Sequence, residues 1–215
     1  MDYAVARTRM VREQLIDRGI TDEQVLRAMG TVPRHLFVDE GFLPRAYSDH
    51  PLPIGNNQTI SQPYIVGLMS QSLTVADGCA VLEVGTGSGY QAAVLAAMGY
   101  TVYTIERYSD LSKGAAAVIR RLGLRNVHFR VGDGSLGWTE YAPYGGIVVT
   151  AGAPAVPEAL MAQLATGGSI VIPVGGRDQQ RLLKITKGEG MIEKQDICLC
   201  TFVPLVGEQA NPAGQ

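Results

Sequence analysis

The sequence lacks the features that would place it in several large functional classes. Its 215 residues hold 18 Lys and Arg against 20 Asp and Glu, a net charge of −2, with no block of like charges. That balance gives no electrostatic footing for nucleic acid as the main partner, because such binding rests on clustered basic side chains. No apolar run approaches the length of a bilayer span, so no membrane partner is expected. The opening Met1-Asp2-Tyr3-Ala4-Val5-Ala6-Arg7 has no apolar signal core. Only three cysteines occur, too few for a disulfide framework, and a cytoplasmic protein is expected. Cys198 and Cys200 stand two apart on a strand-like run and share a face. Cys79 is expected to pack at the start of a strand. His35, His50 and His128 are scattered without ligand spacing, so no metal site is expected. Internal repeats and low-complexity segments are absent too.

What the chain does have is a core and a glycine turn. Hydrophobic residues make up 46% and charged residues 18%, enough to bury a sizeable interior. The most informative stretch is Leu82-Glu83-Val84-Gly85-Thr86-Gly87-Ser88-Gly89-Tyr90. An apolar run from Ala80 to Val84 reads as a buried strand, and a helical run follows through Met98. Glycines at such a strand-to-helix turn let a ligand approach the backbone without a Cβ in the way. Glu106 closes the next apolar run, at the spacing of a carboxylate that accepts hydrogen bonds from ribose hydroxyls. A dinucleotide fingerprint would read G-x-G-x-x-G, but Tyr90 stands where its third glycine belongs. The alternate-glycine form is the common one in S-adenosylmethionine enzymes of this architecture. Asp133, in the turn Gly132-Asp133-Gly134 after a third strand, is placed to accept the exocyclic amine of adenine. Read alone, it is equally an Asp-Gly turn.

The organisation is α/β. A helix is expected from Tyr3 to Arg18, ended by Gly19. Thr21-Asp22-Glu23-Gln24 reads as a capping box for a second helix stopped by Pro33. Residues 42–58 read as loop, and a third helix runs from Gln62 to Leu73 with Ser61 in N-cap position. Strands are expected at Ala80–Val84, Thr101–Ile105, Val127–Val131, Gly146–Thr150 and Ser169–Pro173. Helices are expected at Tyr90–Met98, Ser109–Leu122 and from Pro157 to Leu164. This alternation predicts a mostly parallel sheet with helices on both faces. Arg181–Lys187 and Ile197–Val203, joined through Gly188-Glu189-Gly190, predict an antiparallel hairpin that makes the sheet mixed. The reading is one domain over residues 1–215. Residues 1–60 form an N-terminal helical cap with a substrate-side loop, and residues 61–215 the cofactor-binding core.

Over nearly its whole length the chain resembles the protein-L-isoaspartate (D-aspartate) O-methyltransferases. Four stretches carry the resemblance. They are Leu52 to Tyr64, with Gln58-Thr59-Ile60-Ser61; the glycine turn with Ile105-Glu106-Arg107; Gly132-Asp133-Gly134; and Val149-Thr150-Ala151 and Pro173-Val174-Gly175 together with Phe202-Val203-Pro204-Leu205-Val206. The glycine and acidic turns occur widely among class I methyltransferases, while the Gln-Thr-Ile-Ser stretch and the Val-Pro-Leu ending are specific to this family. The resemblance implies a class I S-adenosylmethionine-dependent, Rossmann-like fold. It implies methyl transfer to the free carboxylate of L-isoaspartyl residues in damaged proteins and peptides, leaving S-adenosyl-L-homocysteine. Carried over residue by residue, it makes Ser61 the active-site serine that positions substrate. Thr59, Ile60, Glu83, Gly85, Thr86, Gly87, Gly89, Glu106, Arg107, Asp133 and Gly134 become cofactor contacts, and Ile54, Ser61 and Val206 substrate contacts. A monomer is expected.

Three departures stand out: Asn57 where the family usually has a small residue, Gly145-Gly146 where an aspartate starts the fourth strand, and Gly152 in place of alanine. The first is expected to alter the loop carrying Ser61, and the second to loosen the rim of the crevice. The alternatives are a methyltransferase for another carboxylate or small molecule, an NAD-dependent oxidoreductase, and a non-catalytic isoaspartyl-binding module.

Overall fold

The protein is described here from a computed structural model covering residues 2–75 and 80–211; Cys79 lies outside the described residues. Helix α1 (Tyr3–Met10) starts at Asp2, whose carboxylate accepts from the Ala4 and Val5 N–H groups. The helical path continues through a π-helical turn at Val11–Leu15 and a 3-10 turn at Ile16–Arg18. Gly19 ends it in the left-handed region, at φ 87°. In α2 (Glu23–Thr31) the cap is Asp22, which accepts from Gln24 and Val25. The capping box expected on Thr21 is not formed, because Gln71 accepts both the Thr21 and Asp22 N–H groups and holds Thr21 outside the helix.

Residues 42–58 are more ordered than the loop expected of them. A 3-10 turn covers Glu40–Arg45, and β1 (Leu52–Gly55) pairs antiparallel with β2 (Gln58–Ile60). The hairpin tip is Asn56-Asn57, at φ 49° and 55°. Both central residues of such a two-residue turn need positive φ, and asparagine tolerates it better than most side chains. Asn57 therefore fits the loop it was expected to disturb.

After α3 (Pro63–Ser72) come β3 (Ala80–Val84), α4 (Tyr90–Ala97), β4 (Thr101–Glu106), α5 (Ser109–Arg121), β5 (Val127–Val131), β6 (Tyr144–Val149), α6 (Glu158–Gln163), β7 (Leu164–Gly175), β8 (Gln180–Lys187) and β9 (Ile192–Cys200). The sheet order is β5-β4-β3-β6-β7-β8-β9, parallel from β5 to β7 and antiparallel at β8 and β9. β9 starts and ends earlier than the expected 197–203. Its turn closes when the Gly188 N–H donates to Met191 O, at 2.9 Å.

Alternation along the central strands feeds two cores. Val81, Val102, Val148, Val171 and Leu182 face α4 and the N-terminal helices, packing with Met10, Leu15, Met29 and Met69. Leu82, Val84, Ile147, Val149, Ile170 and Ile172 face the other way, with Leu160 of α6 and Leu205. At about 25 cal/mol per Å² of apolar surface removed from water, these two layers supply the main drive for folding. Among the described residues no helix is long and apolar enough to cross a membrane.

Candidate active site

Parallel strands present their C-terminal ends on one edge of a sheet, and the turns after them form a crevice. Here a cleft lies at the ends of β3, β4 and β6, lined by Val84 to Ser88, Ile105 to Tyr108 and Thr150-Ala151. Gln58 to Ser61 close it on one side, and Val203 to Val206 on another.

The glycine turn is built from the sheet outward. Gly85 N–H and Thr86 N–H both donate to Ile105 O, at 2.9 and 3.2 Å. Thr150 Oγ1 donates to Gly85 O at 2.5 Å. Gly85 sits at φ 95°, and a Cβ there would fall 2.5 Å from Thr150 Oγ1. Only glycine fits both demands. Gly87, at φ 51°, donates its N–H to Glu106 Oε2 at 2.7 Å. Glu106 Oε1 accepts from Tyr108 N at 3.0 Å. The carboxylate is thus held by two backbone donors at the cleft wall.

Beneath the turn lies Glu83, fully buried. Thr104 Oγ1 donates to its Oε2 at 2.5 Å, and Thr86 Oγ1 lies 2.6 Å from Thr104 Oγ1. Oε1 has no partner. Burial pushes the Glu83 carboxyl up to about 8, with the Thr104 bond pulling partly back and the Glu106 charge adding to the rise. At neutral pH it is therefore mostly protonated.

Thr59, Ile60, Ser61, Gly85, Thr86, Gly87, Glu106, Arg107, Gly134 and Val206 all line the cleft. The other expected contacts stand elsewhere. Gly89 caps α4 at φ 88°, and a Cβ there would meet Ala115 Cβ at 2.8 Å. Its glycine serves the packing of α4 on α5. Asp133 Oδ1 accepts from Ser135 N and Oγ, and Oδ2 from Glu208 N at 2.7 Å. Partial burial pushes this carboxyl up, but the bonds from Glu208 and Ser135 outweigh it and hold the group below the usual range. Asp133 therefore anchors the C-terminal segment, and Gly134 next to it is the residue at the cleft. Ile54 leans on the outside of the turn, its Cδ1 3.4 Å from where a Gly87 Cβ would be.

Ser61 has no capping role. The N-cap of α3 is Gln62, without a side-chain bond. The Tyr64 N–H of the first turn is taken by Asp49 Oδ1 at 3.1 Å, and Arg18 pairs with Asp49. Among the described residues the Ser61 hydroxyl makes no hydrogen bond, whereas its carbonyl accepts from Arg34. A second groove shares Thr59, Ser61, Thr150 and Val203 with the cleft and runs past Ile65 to Leu199 and Phe202. Ser61 stands where the two meet.

Gly145-Gly146 lies at the far end of β6, where Gly146 is level with Val81, away from the cleft. Loosening of the crevice rim is excluded by that position. A Cβ on Gly146 would meet Val75 Cγ2 at 2.4 Å, so glycine there is a packing requirement. Gly152 exchanges backbone bonds with Val203 and Leu205, at 2.8 and 2.7 Å, and so docks the cleft's C-terminal wall. Val206 and its neighbours are read from sequence as part of this wall, whereas Thr150, Ala151 and Tyr108 have no role assigned from sequence. Thr150 ends and Ala151 directly follows the strand predicted at Gly146–Thr150, and that position was the available signal. Cys198 and Cys200 are free thiols, and burial pushes the latter up to about 12. Among the described residues no cluster of three or more His, Cys, Asp or Glu could hold a metal ion.

Comparison with known proteins matches residues 6–210 to the family model for protein-L-isoaspartate(D-aspartate) O-methyltransferase. A protein-L-isoaspartate O-methyltransferase of Geobacter metallireducens is 51% identical over 209 residues, covering 97% of both chains. One of Trichlorobacter lovleyi is 53% identical over 210 residues, again covering 97% of both. Among solved structures, a protein-L-isoaspartate O-methyltransferase superposes with a TM-score of 0.86 at 27% identity, covering 95% of this chain and 67% of the other. A Plasmodium falciparum beta-aspartate methyltransferase in complex with S-adenosyl-L-homocysteine gives 0.81 at 27% identity, covering 94% and 99%.

Proposed function

This chain belongs to the protein-L-isoaspartate(D-aspartate) O-methyltransferase family, and from that premise we infer how its cleft works. The enzyme transfers a methyl group from S-adenosylmethionine to the free carboxylate of L-isoaspartyl residues in proteins and peptides, the step that initiates their repair. The cleft fits the cofactor on its own terms. Gly85 and Gly87 leave backbone open at the turn, and Glu106 offers carboxylate oxygens beside it. When bound, S-adenosylmethionine supplies a methyl group on a positively charged sulfur.

We propose that Glu106 receives the ribose hydroxyls and that the Gly85 to Gly87 backbone lies against the rest of the cofactor. Glu83 supports the turn from below through Thr104 and Thr86. Because the substrate carboxylate is ionised at neutral pH, with an ordinary pKa of about 4, it needs no general base. What the reaction needs is alignment and exclusion of water, since opposite charges meet and cancel. Ser61 offers a neutral donor that holds the carboxylate without quenching it. The observation carrying this assignment is that Ser61, whose hydroxyl bonds to none of the described residues, stands where cleft and second groove meet. The groove holds the peptide in this reading. Its lining contains no charged side chain, which supports acceptance of varied flanking residues. The free thiols of Cys198 and Cys200 support a cytoplasmic setting.

The test is labelled methyl transfer to matched isoaspartyl and aspartyl peptides. Methylation is expected on the isoaspartyl peptide, with little on its counterpart. Equal rates on both would overturn the assignment.

A further inference from the structure

Arg34 is fully buried, and the Asp49 carboxylate acts on it through its charge alone, without a direct bond. Among the described residues it makes no ion pair. Its Nε donates to Ala46 O at 2.8 Å and its Nη2 to Ser61 O at 2.7 Å. Nη1 has no partner. The guanidinium carbon lies 4.8 Å from the centre of the Tyr90 ring, so the ring face gives part of the compensation that water would give. Burial pushes the guanidinium down to about 10, which leaves it charged at neutral pH. Burying an unpaired cation is costly, and an apolar side chain of similar volume would fill the space more cheaply. What the apolar side chain would lack is the fork, two N–H donors held in one plane.

The fork joins two segments, at Ala46 and Ser61, that flank the β1–β2 hairpin. One of them carries the active-site serine. Among the described residues Arg34 is the side chain that bonds to Ser61. The capping that would otherwise fix a serine at this place is absent, because the first turn of α3 is served by Asp49. The Ser61 hydroxyl is therefore aimed by its backbone, and that backbone is held by Arg34.

We propose that Arg34 is a positioning residue for methyl transfer: its buried fork fixes the Ser61 carbonyl and so aims the Ser61 hydroxyl at the substrate carboxylate. This rests on the assignment of Ser61 made above. Arg34 touches neither substrate nor cofactor, and its effect passes through Ser61. A lysine keeps the charge but lacks the fork, so the carbonyl loses its fixed partner.

The experiment measures initial rates on an isoaspartyl peptide for Arg34→Lys, Ser61→Ala and the double variant. Rates are expressed per S-adenosyl-L-homocysteine binding site counted by calorimetry. For Arg34→Lys, kcat/KM is expected to fall on the order of tenfold, chiefly in kcat, as small misplacements of aligned groups do. Affinity for S-adenosyl-L-homocysteine is expected to stay unchanged, which a general loosening of the fold would not allow. In the Ser61→Ala background the Arg34→Lys loss is expected to vanish, because groups acting as a unit are not additive. Full kcat/KM in Arg34→Lys overturns the proposal, as does a loss that multiplies with that of Ser61→Ala. Arg34→Met, which avoids a buried ammonium, is the second variant. Failure of both to fold would make Arg34 a folding residue and overturn the proposal. An unchanged rate in Ser61→Ala alone would overturn the assignment of Ser61, and this proposal with it.

Discussion

Glu83→Gln is expected to flatten the pH dependence of stability. Glu83 is fully buried, with one oxygen bonded to Thr104 and the other unpaired. Its carboxyl titrates at about 8 in the folded protein against an ordinary 4.5. Between those values the folded state binds a proton that the unfolded state has released. Stability from this group is therefore complete below pH 4.5 and is lost as pH rises through about 8. The slope approaches roughly 1.4 kcal/mol per pH unit inside the window, an upper limit of roughly 5 kcal/mol across it. Water entry and relaxation around the ionised group reduce that total. Glutamine matches the neutral acid in shape and keeps an acceptor for Thr104, so it carries no such slope. The assay is urea unfolding of wild type and Glu83→Gln from pH 5 to pH 9. The difference between them should grow in favour of the variant up to about pH 8 and level off above it. Parallel pH profiles would refute the burial argument. The same ionisation should disturb the glycine turn through Thr104 and Thr86, so wild-type affinity for S-adenosyl-L-homocysteine should weaken above pH 8 and that of Glu83→Gln should hold.

Two substitutions separate the roles at the cleft. Ser61→Ala should leave the melting temperature near wild type, because no cap is lost, while kcat/KM on an isoaspartyl peptide falls on the order of tenfold to a hundredfold, less than for an oxyanion-hole donor because no new anion forms; a wild-type rate would remove Ser61 from the mechanism. Glu106→Ala should weaken cofactor affinity by about 1.5–3 kcal/mol, the range for hydrogen bonds to a charged group. It should also free the Gly87 and Tyr108 N–H groups, and calorimetry showing unchanged affinity would refute the role given to Glu106.

Local pattern carried much of the architecture. The apolar runs at Ala80–Val84, Thr101–Ile105 and Val127–Val131 formed strands almost where periodicity put them, because alternation along a strand is set by which face must be buried. The helices at Tyr90 and Ser109 began at their expected residues. The glycine turn was legible for the same kind of reason, since positive φ at Gly85 and Gly87 is a demand on the residue itself. The Asn56-Asn57 hairpin carried a readable turn signal and was missed, because the surrounding Pro and Gly suggested irregular chain.

What only the tertiary structure decided was the partner of each polar group. Ser61 stood in the position of a helix cap, yet Asp49, brought in by Arg18, serves the first turn of α3 and leaves the Ser61 hydroxyl free. Asp133 read as a ligand contact, and the returning C-terminal segment claims its carboxylate. Glu83 read as a cofactor contact and lies protonated beneath the turn. Gly152 read as a minor departure, and it docks the wall that completes the cleft. The sequence by itself determined the parallel strands, the glycine turn and the family. Periodicity and φ preference act within a few residues along the chain, so they can be read from it. Burial and hydrogen bonding at the cleft join residues distant in sequence, and those partners exist only once the chain has folded.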